Sequence, residues 1–162
     1  MHIGLTYDLK TDYLREGYSE EDAAEFDTED TIDSITSALQ NLGFTTERIG
    51  NFHNLITCLA GGRRWDMVFN ICEGVRGMGR ECLVPALLDQ YQIPYTFSDP
   101  LALCITLNKG IAKRVIRDLG VPTPDFTLIE GENDLTDVGL GYPLFVKPVA
   151  EGSGKGIDEN SI

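Results

Sequence analysis

No stretch of the sequence approaches the ~18 consecutive apolar residues of a membrane-spanning helix, and the opening MHIGLTYDLK has no basic region followed by a long apolar run. These absences argue against a membrane partner and a secretory signal, so a cytoplasmic protein is the expectation. Basic residues are scarce, with 13 Lys and Arg against 26 Asp and Glu and a net charge of −13. Binding a phosphate backbone requires concentrated Lys and Arg, which removes nucleic acid from the expected partners. The four cysteines, at 58, 72, 82 and 104, lie too far apart for Cys-x-x-Cys zinc or redox motifs and read as buried thiols. Cys72, beside Glu73, invites a reading as a nucleophile, but the only histidines, His2 and His53, have no visible relation to it. There is no internal repeat and no low-complexity tract.

What is present is an ordinary globular composition, 162 residues with 42% hydrophobic and 24% charged, enough for a sizeable core. The negative charge is local. Residues 16–33 hold nine carboxylates and no Lys or Arg, leaving the other 144 residues at a net charge of −4. This stretch reads first as a solvated loop leading into a helix, and alternatively as a site for a cation or an amine-bearing substrate.

Strand-like and helix-like segments alternate along the chain. Residues 2–7 are β-prone, and Thr28 can cap a helix carrying Ile32, Ile35, Leu39 and Leu42 at helical spacing up to Gly43. A strand at 44–49, a helix at 54–60 closed by Gly61-Gly62, and a strand at 66–71 follow. A helix around 81–91, a strand at 93–97 and a helix at 108–119 come next. Such alternation predicts an α/β fold, a Rossmann-like parallel sheet with right-handed crossovers. Pro122 and Pro124 make a stiff connector, so the expected domains are 1–120, a linker at 121–125, and the start of a second domain at 126–162 with strands at 126–130 and 144–147. That start has little core of its own and is expected to be mobile, or to pack on the first domain or on another copy of the chain as a homodimer.

The stretch YPLFVKPVAEGSGKGI, 142–157, joins an apolar strand-like run ending in Lys147-Pro148 to glycines at 152, 154 and 156. Alternate glycines remove the side chains that would keep an anion from backbone N–H groups and permit the positive φ angles that align them, while a lysine at a strand end reaches a phosphate as a point charge. A P-loop would need glycine where Val149 stands and Ser or Thr after Lys155, where Gly156 stands. A dinucleotide fingerprint should follow the first strand, which this loop does not.

The pattern instead resembles the ATP-grasp family, and within it the D-alanine-D-alanine ligases. VFNICEG (68–74), VPALLDQYQIPYTFSDP (84–100), LNKGIAKRVIRDLGVPTPDF (107–126) and the glycine loop occur in that family's order and spacing. The resemblance implies a pre-ATP-grasp domain followed by the first strands of an ATP-grasp domain. It implies ATP contacts from Lys109, Lys147, Glu151, Gly152, Ser153, Gly154, Lys155 and Gly156, with Ser153 also helping to position substrate. It implies Mg2+ as well, held by acidic and amide residues beyond 162, so that the chain is expected to be a fragment, or a naturally shortened relative, inactive by itself. The implied reaction is ATP-dependent joining of a carboxylate to an amine through an acyl phosphate, with an amino acid such as D-alanine as substrate and a role in cell wall biosynthesis.

The family's substrate elements match poorly. Its Gly-Gly-x-Ser-x-Glu turn after the first strand is not visible here, and Glu25 or Glu29 would have to supply the glutamate that holds an amino group. Its His-Gly after the third strand is replaced by Glu73-Gly74, and Arg76, Arg80 and Glu81 follow in a Gly-rich substrate loop or plain turn. Glu25, Glu73, Arg80 and Glu81 are therefore the expected substrate-binding residues. A ligase for another amino acid or peptide, or a non-catalytic binding module, remains an alternative.

Overall fold

The computed structural model describes residues 1–152 and 154–162, and among these the chain forms two compact units, Met1–Cys104 and Ile105–Ile162. In the first unit, β1 (His2–Tyr7) leads through α1 (Lys10–Arg15) and α2 (Glu29–Asn41) to β2 (Thr45–Gly50), and α3 (Phe52–Ala60) leads to β3 (Met67–Ile71). A 3-10 turn (Arg80–Cys82), α4 (Leu83–Gln90) and α5 (Pro100–Leu107) complete it, with the division between units falling inside α5.

The sheet is parallel in the order β2-β1-β3, with Ile3 opposite both Thr46 and Met67. Strand side chains alternate between faces, and each face is covered by helices. On one face Leu5 packs with Ile32 of α2, joined by Tyr7, Ile35, Leu39, Phe69 and Ile71. On the other, Ile49 and Val68 pack with Leu55 and Leu59 of α3 and with Val84 and Leu88 of α4. Trp65 belongs to this second core, and its indole N–H donates to Glu47 at 3.0 Å. The α/β expectation is therefore met in this unit.

Helix ends follow local capping chemistry. The Thr28 side chain accepts from the Thr31 N–H, Asn51 accepts from His53 and Asn54, and Asn108 accepts from Ile111. The strand expected at 93–97 is corrected to a single bridge, Val68 to Tyr95, held by Val68 N–H to the Pro94 carbonyl at 2.8 Å and Thr96 N–H to the Val68 carbonyl at 3.0 Å. Pro94 has no N–H to donate, and Phe97 turns to a left-handed φ of 72°, ending the extended run. The helix expected around 81–91 begins as the 3-10 turn, while α1 and α5 were not expected at all. The acidic stretch is not simply solvated, because Ala23 and Phe26 are buried with Tyr13 in a third apolar cluster.

The second unit contains α6 (Lys109–Asp118) and a 3-10 segment (Glu132–Asp137). The segment after Pro124 runs along α6, where a Cβ at Gly110 would meet Leu128 at 2.8 Å, and the Lys113 and Arg117 cations sit over the Phe126 ring at 5.2 and 5.6 Å. The expected linker 121–125 thus lies within this unit. The expected strands at 126–130 and 144–147 do not form: neither has a ladder partner among the described residues, and an extended segment becomes a strand only through such pairing. Within 144–147, the Val146 N–H donates instead to the Ser161 carbonyl at 2.7 Å.

Candidate functional site

In parallel sheets the crevice outside the carboxyl ends of the strands is where ligands bind. Here the first residue after β1 is Asp8, 2% exposed. Its carboxylate accepts from the Tyr13 hydroxyl at 2.5 Å and from the backbone N–H groups of Glu73 and Gly74, just past β3, at 3.0 and 2.8 Å. One carboxylate therefore holds the ends of two neighbouring strands together. Gly74 has φ of 73°, and a Cβ there would stand 2.7 Å from the Arg80 carbonyl oxygen, so only glycine lets the loop close back on Arg80.

The acidic stretch reaches the same place. Lys10 N–H donates to the Asp27 carbonyl at 2.9 Å and Asp27 N–H to the Asp8 carbonyl at 3.0 Å, stitching residue 27 beside the end of β1. Burial and then the nearby Asp8 charge push the Asp27 carboxyl above its ordinary range. Tyr13 stacks on Phe26 with ring centroids 4.3 Å apart, which anchors the stretch from its other side. Glu25 consequently turns inward, its side chain 4% exposed, and Arg80 Nη2 donates to Glu25 Oε2 at 3.0 Å. Glu25 Oε1 is buried with no hydrogen-bond partner among the described residues.

Glu73 completes the group. Its carboxyl is pushed up to about 7, first by burial, then by the charges of Glu81 and Glu25, with Arg80 acting in the opposite direction and Asp8 adding to the rise. Glu25 and Arg80 are thus paired directly, and Glu73 lies within electrostatic reach of both and of Glu81. Glu29, the alternative to Glu25, lies elsewhere: it is on α2 and pairs with Arg48 at 3.4 Å. Asp8 was missed in the sequence, although an acid immediately after the first strand of a parallel sheet is a usable signal. Alongside, a small cavity of about 70 Å3 is lined by Tyr7, Tyr13, Gly50 and Asn54 among others. Burial drives the Cys72 thiol well above its ordinary value, which removes it as a ready nucleophile.

The second unit holds the expected nucleotide residues. The Lys109 N–H donates to the Val149 carbonyl at 2.8 Å, and its ammonium donates to the Glu151 carbonyl, so the first residue of α6 grips the approach to the glycine loop from both ends. Glu151 pairs with Lys155 at 3.6 Å, while Lys155 N–H to Gly152 and Ile157 N–H to Gly154 form consecutive turns. Gly154 and Gly156 adopt positive φ, 78° and 70°, as a loop with inward N–H groups requires. Lys147 is exposed, its ammonium 5.0 Å from the Phe145 ring centre. Ser153 lies outside the described residues. A separate cleft of about 340 Å3 is lined by Arg114, Arg117 and Phe126. Among the described residues no three His, Cys, Asp or Glu side chains are grouped to hold a metal ion, and no helix is long and apolar enough to cross a membrane.

No family model matches the chain. Individual proteins do. A D-alanine-D-alanine ligase of Halorhodospira halophila is 38% identical over 124 residues, covering 76% of this chain and 39% of that protein. An uncharacterized protein of Sinorhizobium fredii is also 38% identical, over 132 residues, 77% of this chain and 39% of its own. Among solved structures, the D-alanine-D-alanine ligase of Bacillus anthracis aligns with a TM-score of 0.68 at 24% identity, covering 98% of this chain and 48% of that one. The same enzyme complexed with ATP aligns with a TM-score of 0.64. The chain therefore spans less than half the length of these relatives.

Proposed function

We propose that this chain, D-alanine-D-alanine ligase-like in sequence and in fold, supplies the first substrate-binding unit and the phosphate loop of an ATP-dependent carboxylate-amine ligase. The observation that carries the reading is the attachment of Lys109 to the backbone at Val149 and Glu151, which sets a cation against a loop in which Gly154 and Gly156 have the positive φ of an anion cradle.

ATP would supply a phosphoryl group that turns the carboxylate into an acyl phosphate, which the amine then attacks to form the amide and release phosphate. The chain's own residues contribute binding and electrostatics. Lys109, Lys147, Lys155 and N–H groups of the glycine loop would stabilise charge on the transferring group, and the loop would exclude water that hydrolyses the activated acid. Magnesium is expected to be held by residues beyond 162, and the chain by itself is expected not to complete the reaction.

The test has two parts. Lys147→Ala should weaken ATP binding by about 1–3 kcal/mol, the range for a hydrogen bond to a charged group. Unchanged affinity would reject the phosphate assignment. Phosphate release from ATP and magnesium by the full-length protein should be stimulated by D-alanine or by another member of an amino-acid panel. Intact ATP binding without stimulation by any of them would favour a non-catalytic binding module.

A further inference from the structure

We infer that the cleft of the second unit lined by Arg114, Arg117, Glu130 and Asp134 is a binding site for a small zwitterion, a free amino acid or short peptide that presents a carboxylate and an ammonium together. The inference goes beyond the ligase reading and does not rest on it, because neither the glycine loop nor Lys109 lines this cleft.

The cations are concentrated by sequence. Helix α6 carries four of the chain's 13 Lys and Arg within ten residues, against the single carboxylate of Asp118. Arg114 and Arg117, three positions apart, share one helix face, and both line the cleft. The Arg117 guanidinium lies 5.6 Å from the centre of the Phe126 ring, a contact that holds it through its charge and leaves its N–H donors for an acceptor. Among the described residues neither arginine forms an ion pair or a side-chain hydrogen bond.

The anions come from the segment that follows. Asp134 Oδ2 accepts from the Glu130 N–H at 2.8 Å and from the Gly131 N–H at 3.0 Å, so one tight turn fixes both acidic residues at the same cleft. Asp134 Oδ1 and the Glu130 carboxylate accept from no donor among the described residues. Opposite charges thus line one space of about 340 Å3 without pairing with each other. That volume lies within the range of small-ligand sites. A simple anion would gain the guanidiniums but face the carboxylates, and a simple cation would meet the reverse. A ligand carrying both charges satisfies both sets, since a carboxylate matches the planar guanidinium donors and an ammonium brings donors to Glu130 and Asp134.

Nuclear magnetic resonance titration of the chain without nucleotide, read at the Arg114 and Arg117 side-chain Nε–H signals, tests the site with glycine, glycylglycine, acetate and methylammonium. At least one zwitterion should move both signals saturably, and acetate and methylammonium should each bind about three- to tenfold more weakly, as loss of one partly exposed charge pair dictates. Glycine against glycylglycine distinguishes a free amino acid from a peptide. Arg114→Gln and Arg117→Gln should each weaken the zwitterion by about the same factor. Glu130→Gln should weaken the zwitterion yet strengthen acetate, because it removes both a partner of the ammonium and a repeller of the anion. All three positions are exposed, and backbone amide signals unchanged away from the cleft confirm the fold of each variant. Amino-acid binding in the first unit would move other signals and leave these two in place. Acetate or methylammonium matching both zwitterions, a Glu130→Gln variant with the preference unaltered, or arginine signals that no probe moves would overturn the inference.

Discussion

Replacing Asp8 by alanine removes a buried acceptor that serves three donors. The backbone N–H groups of Glu73 and Gly74, at 3.0 and 2.8 Å, lose their partner, and the Tyr13 hydroxyl loses its own at 2.5 Å. Each buried donor left unpaired costs about 1–3 kcal/mol, and water reaching the loop recovers part of it, so Asp8→Ala is expected to destabilise the first unit by about 3–5 kcal/mol. Asp8→Asn separates shape from charge. Its amide oxygen can replace Oδ2 toward both N–H groups while its NH2 donates to the Tyr13 oxygen, leaving a loss of about 1–2 kcal/mol from weaker, uncharged acceptance. Urea unfolding followed by the fluorescence of Trp65, the single tryptophan and a member of the first unit's core, reads that unit alone. With a slope of about 2 kcal/mol per molar, alanine should shift the midpoint by roughly 2 M and asparagine by about 0.5–1 M. Midpoints for the two variants that agree within about 0.3 M would refute the assignment of Asp8 as the clasp between β1 and β3.

The buried Glu25–Arg80 pair predicts that Arg80→Met, which strands the carboxylate, costs about 3–5 kcal/mol by the same unfolding assay, whereas Arg80→Met combined with Glu25→Gln recovers most of the loss. Glu73 titrates at about 7 in the folded chain and near 4.5 unfolded, so its contribution favours the fold fully below 4.5 and fades as pH rises through 7. The wild type should therefore lose stability relative to Glu73→Gln between pH 5.5 and 8.5. Half-exposure screens the effect, which should come to on the order of 1 kcal/mol, and a flat difference between the two proteins would contradict it. A Cβ at Gly4 would lie 2.5 Å from Ile49 Cδ1 and 3.0 Å from the Trp65 ring, so Gly4→Ala should cost about 1–3 kcal/mol and shift the Trp65 emission; unaltered emission and midpoint would show that the core yields there.

Elements were legible where the signal was local. Thr28 before an apolar row at helical spacing marks α2, Asn108 marks α6, and the β-prone run at 2–7 is β1. Segment 93–97 misleads because strand propensity says nothing about Pro94 lacking a donor or Phe97 turning left-handed. Helix α5 was overlooked although Asp99, whose carboxylate accepts from Ala102 N–H at 2.9 Å, stands directly before Pro100, a cap and first-turn proline in sequence. At 144–147 the strand-like composition is real but pairing is a property of two segments. The same distinction governs the buried ion pair: Glu25 and Arg80 are 55 residues apart, and no periodicity reports a contact of that kind.

The acidic stretch shows how the two levels connect. Its nine carboxylates give a strongly negative segment, which by itself favours solvation over packing. Aromatic anchoring reverses that preference at one point only. Phe26 against Tyr13, and the Asp27 backbone against Asp8 and Lys10, hold the turn so that Ala23 is buried and the Glu25 carboxylate meets Arg80, while Glu16, Glu20 and Glu21 stay exposed. The charge that composition assigns to the whole stretch therefore enters the interior through Glu25, paired with Arg80, because the apolar residues on either side of it, and not the carboxylates themselves, decide which part of the segment packs.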